Sequence, residues 1–272
     1  SYFLQTLYGM ADLFIVGQFN AVDGITAVSN GSQVMHMLTA ILVGLAMGVT
    51  VSISHAVGAK KHQLVEKTIG NTITLFACIS IVSTILLLIF VKPLVVLLNV
   101  PQEAMTGTMQ YLVICFIGIP FITAYNIISS IYRGLGDSKS PMYIIAIACL
   151  LNIVLDYAFI GLFHMGPIGA ALGTTLSQSV SVLIALISMK YRTSDIHIKK
   201  EDLHLQSQVF KQILKVGFPV AIQDGCIQVA FIIITIIANS RGLNDAAAVG
   251  IVEKMITAIF IIPSTMLATV SA

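Results

Sequence analysis

The sequence predicts an all-α membrane protein, a polytopic bundle of about eight transmembrane helices, and three observations lead there. The 272-residue chain is 57% hydrophobic and only 10% charged, with a mean hydropathy of +0.96; a soluble domain carries about 25% charged residues. Its apolar residues fall in long runs, and about 20 in succession are needed for a helix to cross the hydrocarbon of a bilayer. Runs such as ISIVSTILLLIF lack the alternation of a β-barrel strand, which turns every second residue to a polar lumen.

Eight spans follow in order: 2–19, 26–56, 68–91, 111–132, 142–163, 168–189, 214–239 and 246–272. The first is interrupted by Asp12. The second is too long for a straight crossing and should tilt or project beyond the membrane. It carries Gly44 and Gly48, and the sixth carries Gly169 and Gly173; each pair forms a GxxxG pattern that lets helix backbones approach closely. Pro120, Pro219 and Pro263 lie within the fourth, seventh and eighth spans and should bend them or free a carbonyl.

Short connections make neighbouring helices antiparallel, with one exception. KYRTSDIHIKKEDLHLQSQVFKQ is polar and charged, and it divides six spans from the last two. The chain therefore reads as an N-terminal six-helix lobe (1–189, its first helix truncated), a linker (190–213) and the start of a C-terminal lobe (214–272). Leu203, Leu205, Val209, Phe210, Ile213 and Leu214 predict an amphipathic helix on the membrane surface at the end of the linker. Across this boundary DGITAV (23–28) echoes DAAAVG (245–250), as in transporters built from repeated units. Starting and ending inside spans, the chain reads as a fragment, and its last two helices are expected to pack loosely.

Basic residues set the orientation. The loops 58–67, 133–141 and 190–215 hold eleven of the fourteen, the opposite loops hold Lys92 and Arg241, and Lys254 lies inside the last span. Basic loops face the cytoplasm, so the N-terminus is expected there. No basic cluster interleaved with aromatics points to nucleic acid. Cys78, Cys115, Cys149 and Cys226 are dispersed over different spans with no CxxC, which disfavours both disulfides and a zinc site. The expected partners are the lipid bilayer and a small molecule, with the chain acting as a monomer.

The functional signal is acidic. Asp156 is the only charge in the run from Tyr143 to Phe163, where a carboxylate costs roughly 2.5–3.5 kcal/mol even on insertion scales, so function is the default reading. Asn152 precedes it by four residues and shares its helix face. Two carboxyls in separate spans, one with an amide beside it, suit a site that binds and releases a small cation. Such a pair could take a proton on one side and yield it on the other, because like charges in a low dielectric oppose each other. Its oxygens equally suit a hard cation. Asp224, Tyr125, Asn126 and Gln33 are further polar groups in spans and candidate lining for a substrate cavity. Asn30 is a polar group of the same kind.

Several segments together resemble the multidrug and toxic compound extrusion (MATE) family. They are YGMADLFIVGQF in the first span, HAVGAKK after the second, YRGLGDSKSPM after the fourth, NIVLDYAFIG and GPIGAALGTTLSQ in the fifth and sixth, and KVGFPVAIQ opening the seventh. The match is collinear over essentially the whole chain. It implies twelve helices in two pseudo-repeated six-helix lobes, of which this chain would hold the first lobe and two helices of the second. It also implies antiport in a bacterial plasma membrane: cationic amphipathic drugs leave while H+ or Na+ enters, with no cofactor. Carried over residue by residue, the ion site would be Asp12, Asn152, Asp156 and Thr174, with Thr175 adjacent to the last. Some branches place a glutamate two turns after the Gly-x-Pro of the seventh helix. Here Ile227 stands at about that position, which favours a first-lobe ion site.

Two rivals are weaker. Gly134-Leu135-Gly136-Asp137 is the GxGD string of intramembrane aspartyl proteases, but it lies in a polar loop beside Arg133 and Lys139, and a proton-sharing dyad needs both acids at membrane depth. No enzyme is therefore expected. A flippase for lipid-linked oligosaccharides, of related architecture, would line its cavity with several basic residues, and away from their ends the spans here hold one lysine.

Overall fold

The computed structural model describes the backbone of residues 2–192 and 206–259 and the side chains of residues 11–190, 206–256 and 259. Among these every regular element is helical: α1 (Tyr2–Phe19), α2 (Val22–Gly58), α3 (His62–Leu97), α4 (Gln102–Ile117), α5 (Ile119–Gly134), α6 (Lys139–Asp156), a π-helical segment (Tyr157–Leu162), α7 (Gly166–Arg192), α8 (Ser207–Arg241) and α9 (Leu243–Ile259). Five spans are long and apolar enough to cross a membrane, or six when α4 and α5, bent by 49°, count as one. One face of α3 is apolar yet open, with Ile81, Ile85, Ile89 and Phe90 each more than half exposed, as a lipid-facing surface requires. The expected continuation of the eighth span beyond residue 259, with Pro263, lies outside the described residues, as do Leu203 and Leu205 of the expected surface helix.

The fourth span departs from expectation. It begins at Gln102 rather than 111 and is two helices that meet at Gly118. Pro120 stands in the first turn of α5, where its missing N–H costs nothing, and the amides of Phe121 and Ile122 both donate to the Gly118 carbonyl. The side chain of Thr175 fills the space a Cβ on Gly118 would occupy, at 2.9 Å. The bend is thus packed against α7.

The amphipathic stretch before the seventh span is not a separate surface helix. Residues from Ser207 onward are continuous with α8, and Val209 and Ile213 are buried against Ile53, Ile69 and Phe76 of the first lobe. The apolar stripe faces another helix rather than a lipid surface. The linker between regular elements is correspondingly shorter than 190–213, since α7 runs to Arg192 and the Gln206 amide donates to the Asn71 side chain of α3.

The RGLGDSKSP segment forms the corner between α5 and α6. Gly134 lets α5 approach Ile53 of α2, where a Cβ would stand 2.7 Å from the isoleucine's own. Gly136 adopts φ +90°, open to glycine at little cost. The Asp137 carboxylate accepts from the amides of Lys139 and Ser140 at 3.1 and 3.0 Å and from the Ser140 hydroxyl at 2.6 Å, capping the first turn of α6. Asp137 is thereby held at the start of α6, in the corner between two helices.

The last two helices are not loosely attached. α8 packs along α2 through a reciprocal seam of small residues. A Cβ on Gly44 would meet the Ala221 backbone at 2.6 Å, one on Gly48 would collide with the Ile213 carbonyl, and one on Gly217 with the Leu45 carbonyl. Further along, Asn239 of α8 donates at 2.7 Å to both the Asn30 side chain and the Leu98 carbonyl at the end of α3. The echoed segments open α2 and α9, and these two helices touch where Gly250 meets the Ser29 side chain.

Candidate functional site

Asp12, Asn152, Asp156 and Thr174 converge within the first lobe. Asp156 and Asn152 are 0% exposed and Asp12 6%. Helical periodicity brings the Asn152 amide to the Asp156 carboxyl at 3.4 Å. The Thr174 hydroxyl reaches Asp12 across the α1–α7 contact, also at 3.4 Å, while Thr175 is turned away to Gly118. The two pairs meet at Gly173, which abuts the Asp156 carboxylate and adjoins Thr174, so the Asp12 and Asp156 carboxyls are close neighbours.

Three local features place these groups. α6 gives way to the π segment immediately after Asp156; such wide turns occur mostly at functional sites. The end of α1 is seated on that segment, with Tyr157 donating to Gln18 at 3.5 Å and standing edge-on to Phe19 with ring centroids 6.1 Å apart. Two turns earlier on α1, Asp12 is thereby set beside Asp156. Finally, a Cβ on Gly173 would collide with the Asp156 carboxylate. The second glycine of GPIGAALG therefore makes room for an acid, not only for a helix. Gly169, by contrast, faces Ile160 and Phe159.

Two carboxylates in contact repel strongly. At about 4 Å and an effective dielectric of ~20 the repulsion is about 4 kcal/mol, so the arrangement favours a proton shared between them or a cation bound to both. Unpartnered oxygens face the same need: Asp12 Oδ1, Asp156 Oδ2 and Asn152 Oδ1 are all buried without a hydrogen-bond partner. Buried polar atoms are nearly always satisfied, and three orphaned acceptors in one cluster suit a hard cation or a proton. Among the described residues no group of three or more His, Cys, Asp or Glu could hold a metal ion, so amide and hydroxyl oxygens would have to complete any Na+ shell.

The prediction that follows is specific to Gly173. Gly173→Ala should displace the Asp156 carboxylate and destabilise the protein by about 1–3 kcal/mol, the usual cost of overpacking, whereas Gly169→Ala should have a smaller effect. Equal melting temperatures for the two variants would contradict this assignment.

The remaining candidates lie elsewhere. Tyr125 does not line a substrate path: it is buried with Ile128, Tyr132 and Ile145, and its hydroxyl donates to the Pro141 carbonyl at 3.1 Å. Asn126 donates to the Ile122 carbonyl of its own helix at 2.8 Å. Gln33 is buried on α2 and Asp224 is half-buried on α8. An open cavity of about 330 Å³ lies between α8 and α9, lined by Ile234, Ile237, Arg241 and Asp245 among others, and holds none of these residues. Sequence reasoning passed over His36 of α2, which lies near Gln228 of α8 and in the field of Lys254.

Comparison with known proteins agrees with this architecture. The MatE family model matches residues 1–158. "Probable multidrug resistance protein NorM" of Thermotoga maritima is 30% identical over 225 residues, covering 81% of this chain and 48% of the relative. "Probable multidrug resistance protein YoeA" of Bacillus subtilis is 25% identical over 259 residues, covering 93% and 56%. The chain thus spans about half the length of the curated relatives it matches. Among solved structures, the inward-facing conformation of a multidrug resistance MATE family transporter of the MOP superfamily superposes with a TM-score of 0.84 at 25% identity, covering 98% of this chain and 59% of that one.

Proposed function

The chain belongs to the MATE family, and on that premise we propose that it forms the first lobe and the opening helices of the second lobe of a secondary antiporter. This antiporter exports organic cations in exchange for H+ or Na+. The observation that carries the reading is the burial of Asp12 and Asp156 in one cluster with Asn152 and Thr174, three of whose oxygens have no hydrogen-bond partner. Such a site has a reason to take up one positive charge and, once opened to the other side, to release it. The named relatives are multidrug resistance proteins, and amphipathic cations suit a molecule whose spans hold acids and, away from their ends, one lysine. That scarcity of basic groups also disfavours a flippase, whose pyrophosphate-bearing substrate needs several cations. We infer that the protein works as a monomer in a bacterial plasma membrane, and the excess of lysine and arginine in one set of loops supports a cytoplasmic N-terminus.

Everted vesicles containing the full-length transporter test this directly. In sodium-free buffer an imposed pH gradient, or at fixed pH a sodium gradient, should drive accumulation of a lipophilic dye cation, and collapsing that gradient should stop it. Dye transport indifferent to both gradients would refute ion-coupled antiport.

A further inference from the structure

Lys254 is the one lysine or arginine in the interior of the predicted spans, Lys215 standing at the very start of the seventh. An ammonium group at membrane depth is costly and is kept where it has a charged partner or a task. On α9 it follows Glu253, and consecutive helical residues point about 100° apart. Glu253 turns toward α8, accepting from the Thr235 hydroxyl at 3.2 Å. Lys254, half-buried, interacts electrostatically with Asp12 of α1 and with His36 of α2.

Register leads to the same place without reference to charge. α9 and α2 run in the same direction and touch where Gly250 meets Ser29, so Lys254, four residues on, lies level with Gln33. Asn20 and Gly24 meet in the turn between α1 and α2, at 2.9 Å from the glycine's Cβ position. Going back to Asp12 and on to Gln33 takes about 12–14 Å of helix in each case. Asp12, Gln33 and Lys254 therefore share one depth.

We propose that Lys254 is a tethered counter-cation for the Asp12–Asp156 site, a coupling residue contributed by the second lobe. With the coupling ion gone, the two carboxylates carry two negative charges and Lys254 offsets one of them. When one H+ or Na+ binds, a single negative charge remains and the hold on Lys254 weakens. Because the acids ride on α1 and α6 and the lysine on α9, occupancy of the site alters the attraction between the lobes. The charged or titratable groups near Lys254 are Asp12 from α1, His36 from α2 and Glu253 on its own helix; Gln228 of α8, neutral, lies near His36. This inference rests on the ion-site reading of the acid cluster.

The test is the cation dependence of thermal stability in the detergent-purified full-length transporter. Na+ is titrated at fixed alkaline pH, and pH is titrated without Na+. Lys254→Met should raise the apparent affinity for the effective cation about tenfold by removing a competing charge, while Lys254→Arg should keep the native value. Should Lys254→Met fail to fold, Lys254→Gln is read in the same way. A native affinity in the neutral variant, or an equal shift in Lys254→Arg, would overturn the proposal. Asp156→Asn separates the two levels. Cation dependence that survives in Asp156→Asn refutes the ion site itself. Dependence lost there but unchanged in the neutral Lys254 variant refutes only the counter-cation.

Discussion

Asp156→Asn in the full-length transporter is expected to abolish drug resistance while leaving membrane insertion intact. The substitution is nearly isosteric, so the fully buried position beside Gly173 stays filled. The amide oxygen can still accept from Asn152, which preserves the hydrogen bond observed at 3.4 Å. What disappears is the second negative charge, and with it the reason for the pair to hold one proton or cation between two acids. Asp12 alone keeps its bond from Thr174, but a single acid beside an amide has lost the mutual repulsion that drives uptake of the ion. Resistance to a lipophilic cation should fall to the level of cells lacking the transporter, with the variant present in membranes at normal abundance. Normal export by Asp156→Asn would sink the first-lobe coupling site, whatever the fate of the other residues.

Why these four residues were legible from sequence, and others were not, has a physical explanation. Asn152 and Asp156 stand four apart, so one turn of any helix juxtaposes them, and no knowledge of the tertiary fold is required. Asp12 and Thr174 belong to other helices, and only resemblance to a family linked them to that pair. The choice between Thr174 and Thr175 depends on helix rotation, which the bend at Gly118 sets by occupying Thr175. Tyr125 was misjudged because depth in a span does not reveal direction: it faces α6 within its own lobe. The stretch before α8 shows the same ambiguity from the other side, since an apolar stripe fits a membrane surface and a neighbouring helix equally well. The π segment leaves no periodic signature in six residues. Gly173 was visible as half of a GxxxG pattern, yet the pattern cannot say that its neighbour is a carboxylate rather than a backbone.

Three kinds of contact join α8 and α9 to the first lobe. Near Asp12 the proposed contact, through Lys254, is electrostatic and would respond to ion occupancy. Along α2 and α8 it is steric and close, and at Asn239 it is hydrogen-bonded to Asn30 and to the Leu98 carbonyl. If the proposed antiporter works by rocking one lobe against the other around a fixed site, the seam of small residues would act as the bearing and the polar contacts as the parts that make and break.

Gly48→Leu is accordingly expected to separate the lobes. A side chain there has nowhere to go: even its Cβ would collide with the Ile213 carbonyl and lie 2.9 Å from the Gly217 nitrogen. Backbone cannot rotate away as a flexible side chain can, so the two helices must part along a seam that also includes Gly44, Ala221 and Gly217. Overpacking of this kind costs about 1–3 kcal/mol in ordinary cores; here the loss should be at the upper end, because parting the backbones forfeits every close contact along the seam. The measurement is association of two co-expressed halves divided within the linker, near residue 200, with an affinity tag on one. The native halves should copurify from detergent, and Gly48→Leu or Gly217→Leu should reduce recovery of the untagged half at least tenfold. Gly58→Leu serves as the control, since that glycine ends α2 with no atom within 4 Å of its Cβ position, and it should copurify normally. Full recovery in the Gly48 and Gly217 variants would mean that the lobes are held by the polar contacts alone and that the seam bears no load.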